Sequence, residues 1–221
     1  MAKLVQEIVQ IAVKDITRAS EPFLRADAVV PPDVAQKALQ SEYDLSKIIQ
    51  SQSVMDRLMK IGEAVLSFNA RDMERVLDVV APAVNRGLVS AWASENLLLI
   101  RNMAKQEISK IQESVVEAFN TGARHEQLAK TLARRGEVLG NRARLIAKNE
   151  ILSLNSKVTT SRHKLLGLNR FVWVTSRDER VREEHEALDG QTFSYNNPPA
   201  EGLPGEPINC RCTAVPLLPG E

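Results

Sequence analysis

Cysteine is almost absent from this chain. Among its 221 residues there are two cysteines, Cys210 and Cys212, and they stand two positions apart. A disulfide between residues i and i+2 would strain the bridge geometry. The N-terminus alternates polar and apolar residues and lacks the apolar core of a secretory signal peptide. We therefore expect folding in a reducing cytoplasm, where a structural disulfide is not expected.

Aromatic residues and long apolar runs are also scarce. Phe, Trp and Tyr make up 4% of the chain, so the core must consist mainly of Leu, Ile, Val and Ala, which favours helices. No apolar run approaches the roughly 18 residues that a membrane span needs, so no membrane partner is expected. The sequence also lacks a P-loop and the G-x-G-x-x-G, H-E-x-x-H and G-x-S-x-G motifs, which removes the signatures of several nucleotide-binding and hydrolytic sites.

Neither sign of charge predominates in the chain as a whole, since the net charge is +1. The charges are nevertheless unevenly spread along the sequence. Residues 121–170 contain 11 Lys or Arg and 3 Asp or Glu, whereas residues 171–221 contain 4 and 9. Such asymmetry indicates either a basic face for a polyanionic partner or a contact between the basic and acidic parts.

One helical face carries three of the basic residues. Arg144, Lys148 and Arg162 share it and are the candidate DNA-binding residues, suited to following the phosphates of double-stranded DNA without reading bases. Residues 121–170 contain no aromatic side chain, so stacking on single strands is not supported. A solvated face without a ligand is the alternative.

Apolar periodicity predicts a mostly helical body. Helices are expected over residues 2–18 and over parts of 44–92, with a break or bend near 67–70 and at Pro82. Further helices are expected through 104–119 to an end at Gly122, over 124–135 to an end at Gly136, and over 141–166 to an end at Gly167.

The texture changes after residue 170. Residues 171–175 form a β-type run, and the capping-box spacing of Ser176 and Glu179 predicts a helix over 177–188. Residues 191–194 and 212–215 are expected to pair with the first strand. The predicted fold class is α+β: a mostly helical N-terminal body and a small C-terminal unit with a short sheet and one helix. Three regions are expected: 1–92, 93–170 and 171–221.

A candidate metal site lies in this C-terminal unit. On helix 177–188, His185 shares a core-facing stripe with Val181 and Leu188. If residues 210–212 are extended, both thiols project from the same face. Together they make a Cys₂His zinc site conceivable, with Asp178 or Asn209 as the fourth group. The alternative is a buried histidine beside two small hydrophobes.

Glu150 is a candidate for a buried charge. It lies between Ile146 and Leu154 on one helix stripe, and a buried carboxylate needs a partner. Arg182 or Arg211 is expected to supply it, which would clamp the long helix to the C-terminal unit. A catalytic role for the carboxylate is the other interpretation.

The rarer residues of the C-terminal unit form an ordered pattern: a strand with Trp173, then D-x-x-V-R-x-x-H-x-x-L-x-G, a proline-rich stretch and N-C-R-C. The matching positions are Trp173, Asp178, Val181, Arg182, His185, Leu188, Gly190, Asn209, Cys210, Arg211 and Cys212. This pattern resembles the signature of the Mu F-like minor head proteins of tailed bacteriophages. Upstream, the segment ending in Ile146-Ala147-Lys148-Asn149-Glu150 resembles the family's I-A-R-T-E, with Lys-Asn replacing Arg-Thr. The resemblance covers about residues 95–216.

The resemblance implies a minor head protein rather than an enzyme, located inside the capsid of the virion and made in the host cytoplasm. Its implied roles are head morphogenesis, association with the portal and packaged DNA, and DNA ejection. The scaffold or major capsid protein is a further candidate partner, and residues 1–92 are the candidate docking region. The residues that the resemblance marks as a structural signature are Glu150, Trp173, Asp178, Arg182, His185, Gly190, Asn209 and Arg211.

Two other functions stay open at this point. A metal-dependent hydrolase or nuclease would use Asp178, Glu184 and His185 around a zinc ion bound by Cys210 and Cys212. A module that targets a toxin in longer relatives is the second. Because the chain stops at Glu221, shortly after the signature, a stand-alone head protein is expected.

Overall fold

The computed structural model describes residues 52–121 and 123–218, together with Lys3, Gln6, Glu7, Gln10 and Asp33. Of Phe119 and His125 only the backbone is described. The five isolated residues are helical, and the rest of the predicted helix 2–18 lies outside the described residues, as does Gly122. Within the described ranges, no helix is long and apolar enough to cross a membrane.

The predicted α+β class is confirmed. From residue 52 onward, three long helices come first: α1 (Gln52–Leu77), α2 (Gly87–Thr121) and α3 (His125–Leu165). A three-stranded antiparallel sheet follows, formed by β1 (Arg170–Val174), β2 (Thr192–Ser194) and β3 (Thr213–Pro216), with a short helix α4 (Glu183–Glu186) between β1 and β2.

The helix boundaries confirm part of the prediction. The break at Pro82 is confirmed, since α1 ends at Leu77 and Asp78 takes a left-handed backbone with φ +52°. A break near residues 67–70 is wrong, because α1 runs through that segment. The alternative of a bend there stays a prediction.

The predicted break at Gly136 is wrong, because α3 is one helix of 41 residues. Four buried residues, Leu128, Leu132, Leu139 and Ala143, follow at helical spacing on both sides of the glycine. Continuous burial of this stripe outweighs the modest helix penalty of one glycine, about 1 kcal/mol.

The predicted end of α3 at Gly167 is confirmed. Gly167 has φ +76°, the backbone amide of Leu168 donates to the His163 carbonyl at 2.9 Å, and that of Gly167 donates to Lys164 at 3.0 Å. These two bonds form a Schellman cap, which requires a left-handed residue at this position.

The chain divides into two compact units, each discontinuous in sequence. Unit 1 comprises residues 1–58 and 94–146, and its core includes Ile111, Val115, Ala118, Leu128 and Leu132. Unit 2 comprises residues 59–93 and 147–221, and its core includes Phe171, Trp173, Tyr195, Cys210 and Cys212. The three sequence regions expected above stay a prediction, separate from this packing.

The sheet of unit 2 has the order β2-β1-β3, with β1 in the centre, so the predicted pairing of both outer strands with the first strand is confirmed. Trp173 pairs with Ala214 and Val172 with Val215. The alternate residues Phe171 and Trp173 are completely buried, as expected for one face of a strand that covers a core. Trp173 on this face contacts His185 of the candidate site.

Candidate metal centre

His185 lies on α4, which is much shorter than predicted. The helix over 177–188 is wrong, because only Glu183–Glu186 is helical. Arg177 has a left-handed backbone with φ +52°, and the Asp178 carboxylate accepts the Arg180 amide at 3.1 Å, so residues 177–181 form a turn. The predicted direction of His185 is nevertheless right, since its side chain points into the core and is only 4% exposed. Its ring packs edge-on against Trp173, with 5.3 Å between the two ring centroids.

The two cysteines face the same nitrogen of His185. Both are buried and free. The sulfur of Cys210 lies 3.6 Å from Nδ1 of His185, and that of Cys212 lies 3.5 Å from it. All three donor atoms lie within 4.8 Å of one another. The prediction that both thiols project to one side is thus confirmed.

A tight turn presents the cysteines. The backbone amide of Cys210 donates to the Pro207 carbonyl at 2.9 Å, and Asn209 has a left-handed backbone with φ +60°. The backbone amide of Asn209 donates to Oδ1 of Asn149 on α3 at 3.0 Å. Asparagine tolerates this conformation better than most residues, which gives Asn209 a structural reason to precede Cys210.

Burial keeps two of the donors neutral. It raises the pKa of Cys212 to about 12 and lowers the pKa of His185, to which nearby Arg182 also contributes. The indole N–H of Trp173 is buried and makes no hydrogen bond within the usual distance and angle limits among the described residues. It nevertheless acts against the effect of burial, because it lowers the pKa of Cys212 and so favours the thiolate. The backbone amide of Gly205 donates to the Cys210 sulfur at 3.3 Å.

A small polar cavity of about 120 Å³ opens onto the three donors. Ser176, Asn209, Arg180, Arg182 and Arg211 also line it. Its volume is enough for water, so solvent has access to one side of the donor set.

Asp178 is engaged elsewhere than at this donor set. Each of its carboxylate oxygens accepts one hydrogen bond from the Arg211 guanidinium, both at 2.5 Å. This arginine lowers the pKa of Asp178. Asp178 as the fourth metal ligand is therefore wrong for this conformation, and no Asp or Glu of the described residues joins the cluster.

Further hydrogen bonds hold the segment in place, and two of them come from the signature residues Gly190 and Arg182. Gly190, at φ +77°, donates its amide to the Trp173 carbonyl at 2.8 Å. Asp189 accepts the Thr175 amide at 2.8 Å, which lowers the pKa of Asp189. Arg182 donates to the Ile208 carbonyl at 2.5 Å. These bonds tie α4 to β1 and to the turn that precedes Cys210.

Residues 109–215 match the family model of phage Mu protein F like proteins. The chain contains a Mu F-like region. The resemblance drawn from the signature residues is thereby confirmed. The matched segment includes the C-terminal part of α2, all of α3 and nearly all of the sheet with the His185, Cys210 and Cys212 cluster.

Three curated relatives are similar to part of the chain. An uncharacterised protein of Haemophilus influenzae is 38% identical over 59% of this chain and 29% of its own length. An uncharacterised protein of Methanocaldococcus jannaschii is 27% identical over 64% and 24%. A protein of Enterococcus faecalis named NAD(+)–arginine ADP-ribosyltransferase is 23% identical over 65% and 32%. The chain thus spans less than a third of each relative, and no solved structure matches it significantly.

Within the Mu F-like region, the three candidate DNA-binding residues are placed differently. Arg144 and Lys148 are exposed on α3. Arg162 is 5% exposed and continues the buried stripe of Leu154 and Val158 at intervals of four residues. Its guanidinium donates to Oδ1 of Asn69 at 2.7 Å and to the carbonyls of Leu66 and Pro82. The prediction that Arg162 faces a phosphate backbone is therefore wrong.

Glu150 is half-buried in the Mu F-like region, and its backbone carbonyl accepts the Trp92 indole N–H at 3.1 Å. Of the two arginines expected as its partners, Arg211 binds Asp178 and Arg182 binds the Ile208 carbonyl. The clamp between Glu150 and one of these arginines stays a prediction.

One buried polar pair was not foreseen. Nδ1 of His163 lies 2.5 Å from the Tyr195 hydroxyl, and both side chains are buried. Burial lowers the pKa of His163 to about 4 and raises that of Tyr195. The two residues are 32 positions apart, and neither belongs to a motif, so no local sequence signal pointed to the pair.

Proposed function

We propose that this chain is a minor head component of a tailed bacteriophage that acts in head morphogenesis beside the portal. The Mu F-like region points to phage head morphogenesis and to the virion. The observation that carries the proposal is the use of the signature residues in unit 2. Their polar groups bind one another and the backbone, as in a structural module.

The pair of Asp178 and Arg211 is the clearest case. A general base is most effective when its pKa lies near the working pH, whereas Arg211 donates to both oxygens of Asp178 and lowers the pKa of that carboxylate. The neighbouring Asp189, outside the signature, accepts the Thr175 amide and holds the start of the turn after β1. This arrangement favours a structural role over the metal-dependent hydrolase that would use Asp178.

Contact with packaged DNA is the second part of the proposal. Arg144 and Lys148 are exposed one turn apart on α3, in a segment rich in positive charge. Within the described residues of unit 2, no ion pair joins a basic residue of 147–170 to an acidic residue of 171–218. Non-specific binding to phosphates fits such a surface, since phosphate contacts need charge and not base readout.

Docking to the portal is assigned to residues 1–92, with the scaffold or major capsid protein as the other candidate partners. The test is co-expression of the full chain with the portal protein of the same phage, followed by size exclusion and cross-linking mass spectrometry. We expect co-elution, with cross-links from residues 1–92. A chain lacking residues 1–40 should fail to enter heads, whereas Glu113→Gln, an exposed control on α2 outside both proposed binding regions, should enter normally.

Separate elution from the portal protein, or normal incorporation of the shortened chain, would contradict the portal proposal. Under either outcome, the chain would act in head morphogenesis through contact with the scaffold or the major capsid protein.

A second candidate comes from the match to part of a protein named as an ADP-ribosyltransferase. The shared segment would then be a targeting module that longer proteins join to other domains. Fusing the chain without residues 1–40 to a fluorescent protein tests this idea and keeps all of unit 2. Delivery of this fusion into phage heads would support the module and place docking outside residues 1–40.

A further inference from the structure

The distances between the donor atoms of His185, Cys210 and Cys212 can be compared with those in a zinc complex. Zinc bonds of about 2.3 Å to sulfur and about 2.05 Å to nitrogen, at a tetrahedral angle, place the two donor atoms about 3.6 Å apart. The observed distances from Nδ1 of His185 are 3.6 Å to the Cys210 sulfur and 3.5 Å to the Cys212 sulfur. Both separations therefore agree with those of a tetrahedral zinc complex.

A hydrogen-bonded cluster explains the contacts less well. A neutral imidazole nitrogen without a proton has one lone pair and accepts one hydrogen bond. Two thiols at nearly equal distances would compete for that lone pair. A cation at the centre satisfies all three donors at once, because each directs its own lone pair at the ion.

The surroundings of the sulfurs suit thiolates bound to a metal. The backbone amide of Gly205 donates to the Cys210 sulfur at 3.3 Å, and the indole N–H of Trp173 is buried beside Cys212 without another partner among the described residues. Donors of this kind orient metal-bound ligands and stabilise their negative charge. The edge contact of Trp173 fixes the ring of His185 as well.

We propose that His185, Cys210 and Cys212 bind one zinc ion, with water from the adjoining cavity as its fourth ligand. No carboxylate of the described residues lies within the cluster, and the cavity of about 120 Å³ reaches the donors from the solvent side. The ion joins α4 to the segment after Asn209 and replaces the two thiol protons, which pass to solvent on binding. This site stands independently of the head-protein proposal.

The first test is metal analysis of the full chain purified without chelators. We expect about one zinc per chain, and Co²⁺ exchanged into the protein should show the strong d–d absorption of tetrahedral coordination together with sulfur-to-cobalt charge transfer. Less than about a tenth of an equivalent of zinc in folded protein after reconstitution with Zn²⁺, or a Co²⁺ spectrum like that of the aqueous ion, would overturn the proposal.

The variants separate ligation from folding. His185→Gln and Cys212→Ser should each lose at least tenfold in zinc affinity, whereas His163→Gln, which alters the other described buried histidine, should keep one zinc per chain. Retention of full affinity by His185→Gln would exclude it as a ligand. If both histidine variants lose zinc, the Co²⁺ spectrum of the unsubstituted chain decides, because it needs no substitution.

Discussion

At the scale of single residues, the buried histidine His163 makes unit 2 sensitive to acid. Its pKa is lowered to about 4 by burial, below the ordinary value of about 6.5. Between these two values the unfolded chain binds a proton that the folded chain does not. Stability is therefore full above pH 6.5 and falls as the pH decreases toward 4, by at most about 1.4 kcal/mol per pH unit.

The variant His163→Gln tests this effect, because glutamine does not titrate. We expect its urea unfolding midpoint to fall less between pH 7 and pH 4.5 than that of the parent, measured by circular dichroism. Tyr195→Phe is the matched control: it removes the hydroxyl partner at 2.5 Å but keeps the histidine, so its pH dependence should persist. Equal pH profiles for the parent and His163→Gln would show that this histidine does not set the acid sensitivity.

Arg162 shows the limit of pattern analysis at the same scale. The spacing from Arg144 and Lys148 placed it on their face, but Arg162 is buried and continues the stripe of Leu154 and Val158. The acceptors that hold its guanidinium are Asn69 and the carbonyls of Leu66 and Pro82, which lie 80 to 96 positions away. Local spacing carries no information about partners that distant.

At the scale of secondary structure, a glycine within α3, Gly136, differs in its backbone conformation from the glycine at the C-terminal cap, Gly167. Gly136 has helical backbone, and a Cβ there would meet no atom within 4 Å. Gly167 has equal space around it but a left-handed backbone with φ +76°. Conformation alone therefore distinguishes the two positions.

We expect Gly136→Ala to raise the free energy of unfolding by about 0.5–1 kcal/mol, since alanine has the higher helix propensity. Gly167→Ala should lower it by about 1–2 kcal/mol, because a left-handed conformation strains any residue with a Cβ. Urea unfolding monitored by circular dichroism measures both. Gly167→Asn should lose less than the alanine variant, and a loss for Gly136→Ala would contradict the continuous helix.

The elements also show what the sequence determines. The strand at Phe171–Val174 and the end of α3 at Gly167 followed from β-branched and aromatic residues and from a glycine with a specific backbone role. The capping spacing of Ser176 and Glu179 failed, because Asp178 instead turns the backbone and binds Arg211 across 33 positions. The Cys₂His cluster was predictable because the residue types are rare and the two cysteines stand on one face; its distances were not.

At the scale of the whole molecule, the distribution of charge predicts a salt-sensitive interaction with double-stranded DNA. Residues 121–170 carry 11 basic and 3 acidic residues, and Arg144 and Lys148 of this segment are exposed. Each phosphate contact contributes about 0.9 to the slope of log affinity against log salt concentration.

The double variant Arg144→Gln, Lys148→Gln should therefore bind DNA more weakly and reduce that slope by roughly 2. Fluorescence anisotropy with a labelled duplex of random sequence, at several salt concentrations, measures both quantities. Lys60→Gln, an exposed change on α1 outside the basic segment, is the matched control and should leave the slope unchanged. An unaltered slope for the double variant would remove this face from DNA binding.

The pairing of β3 with the central strand β1 has a consequence for protein synthesis. Unit 2 combines residues 59–93 with residues 147–221, and its third strand is Thr213–Pro216. A nascent chain can therefore complete this sheet only after the ribosome has released residue 216, and both cysteines emerge just before that point. Any translation product that stops before Cys210 lacks β3 and two of the three clustered donors. Unit 2 can therefore fold completely only when the Mu F-like region has been translated to its end.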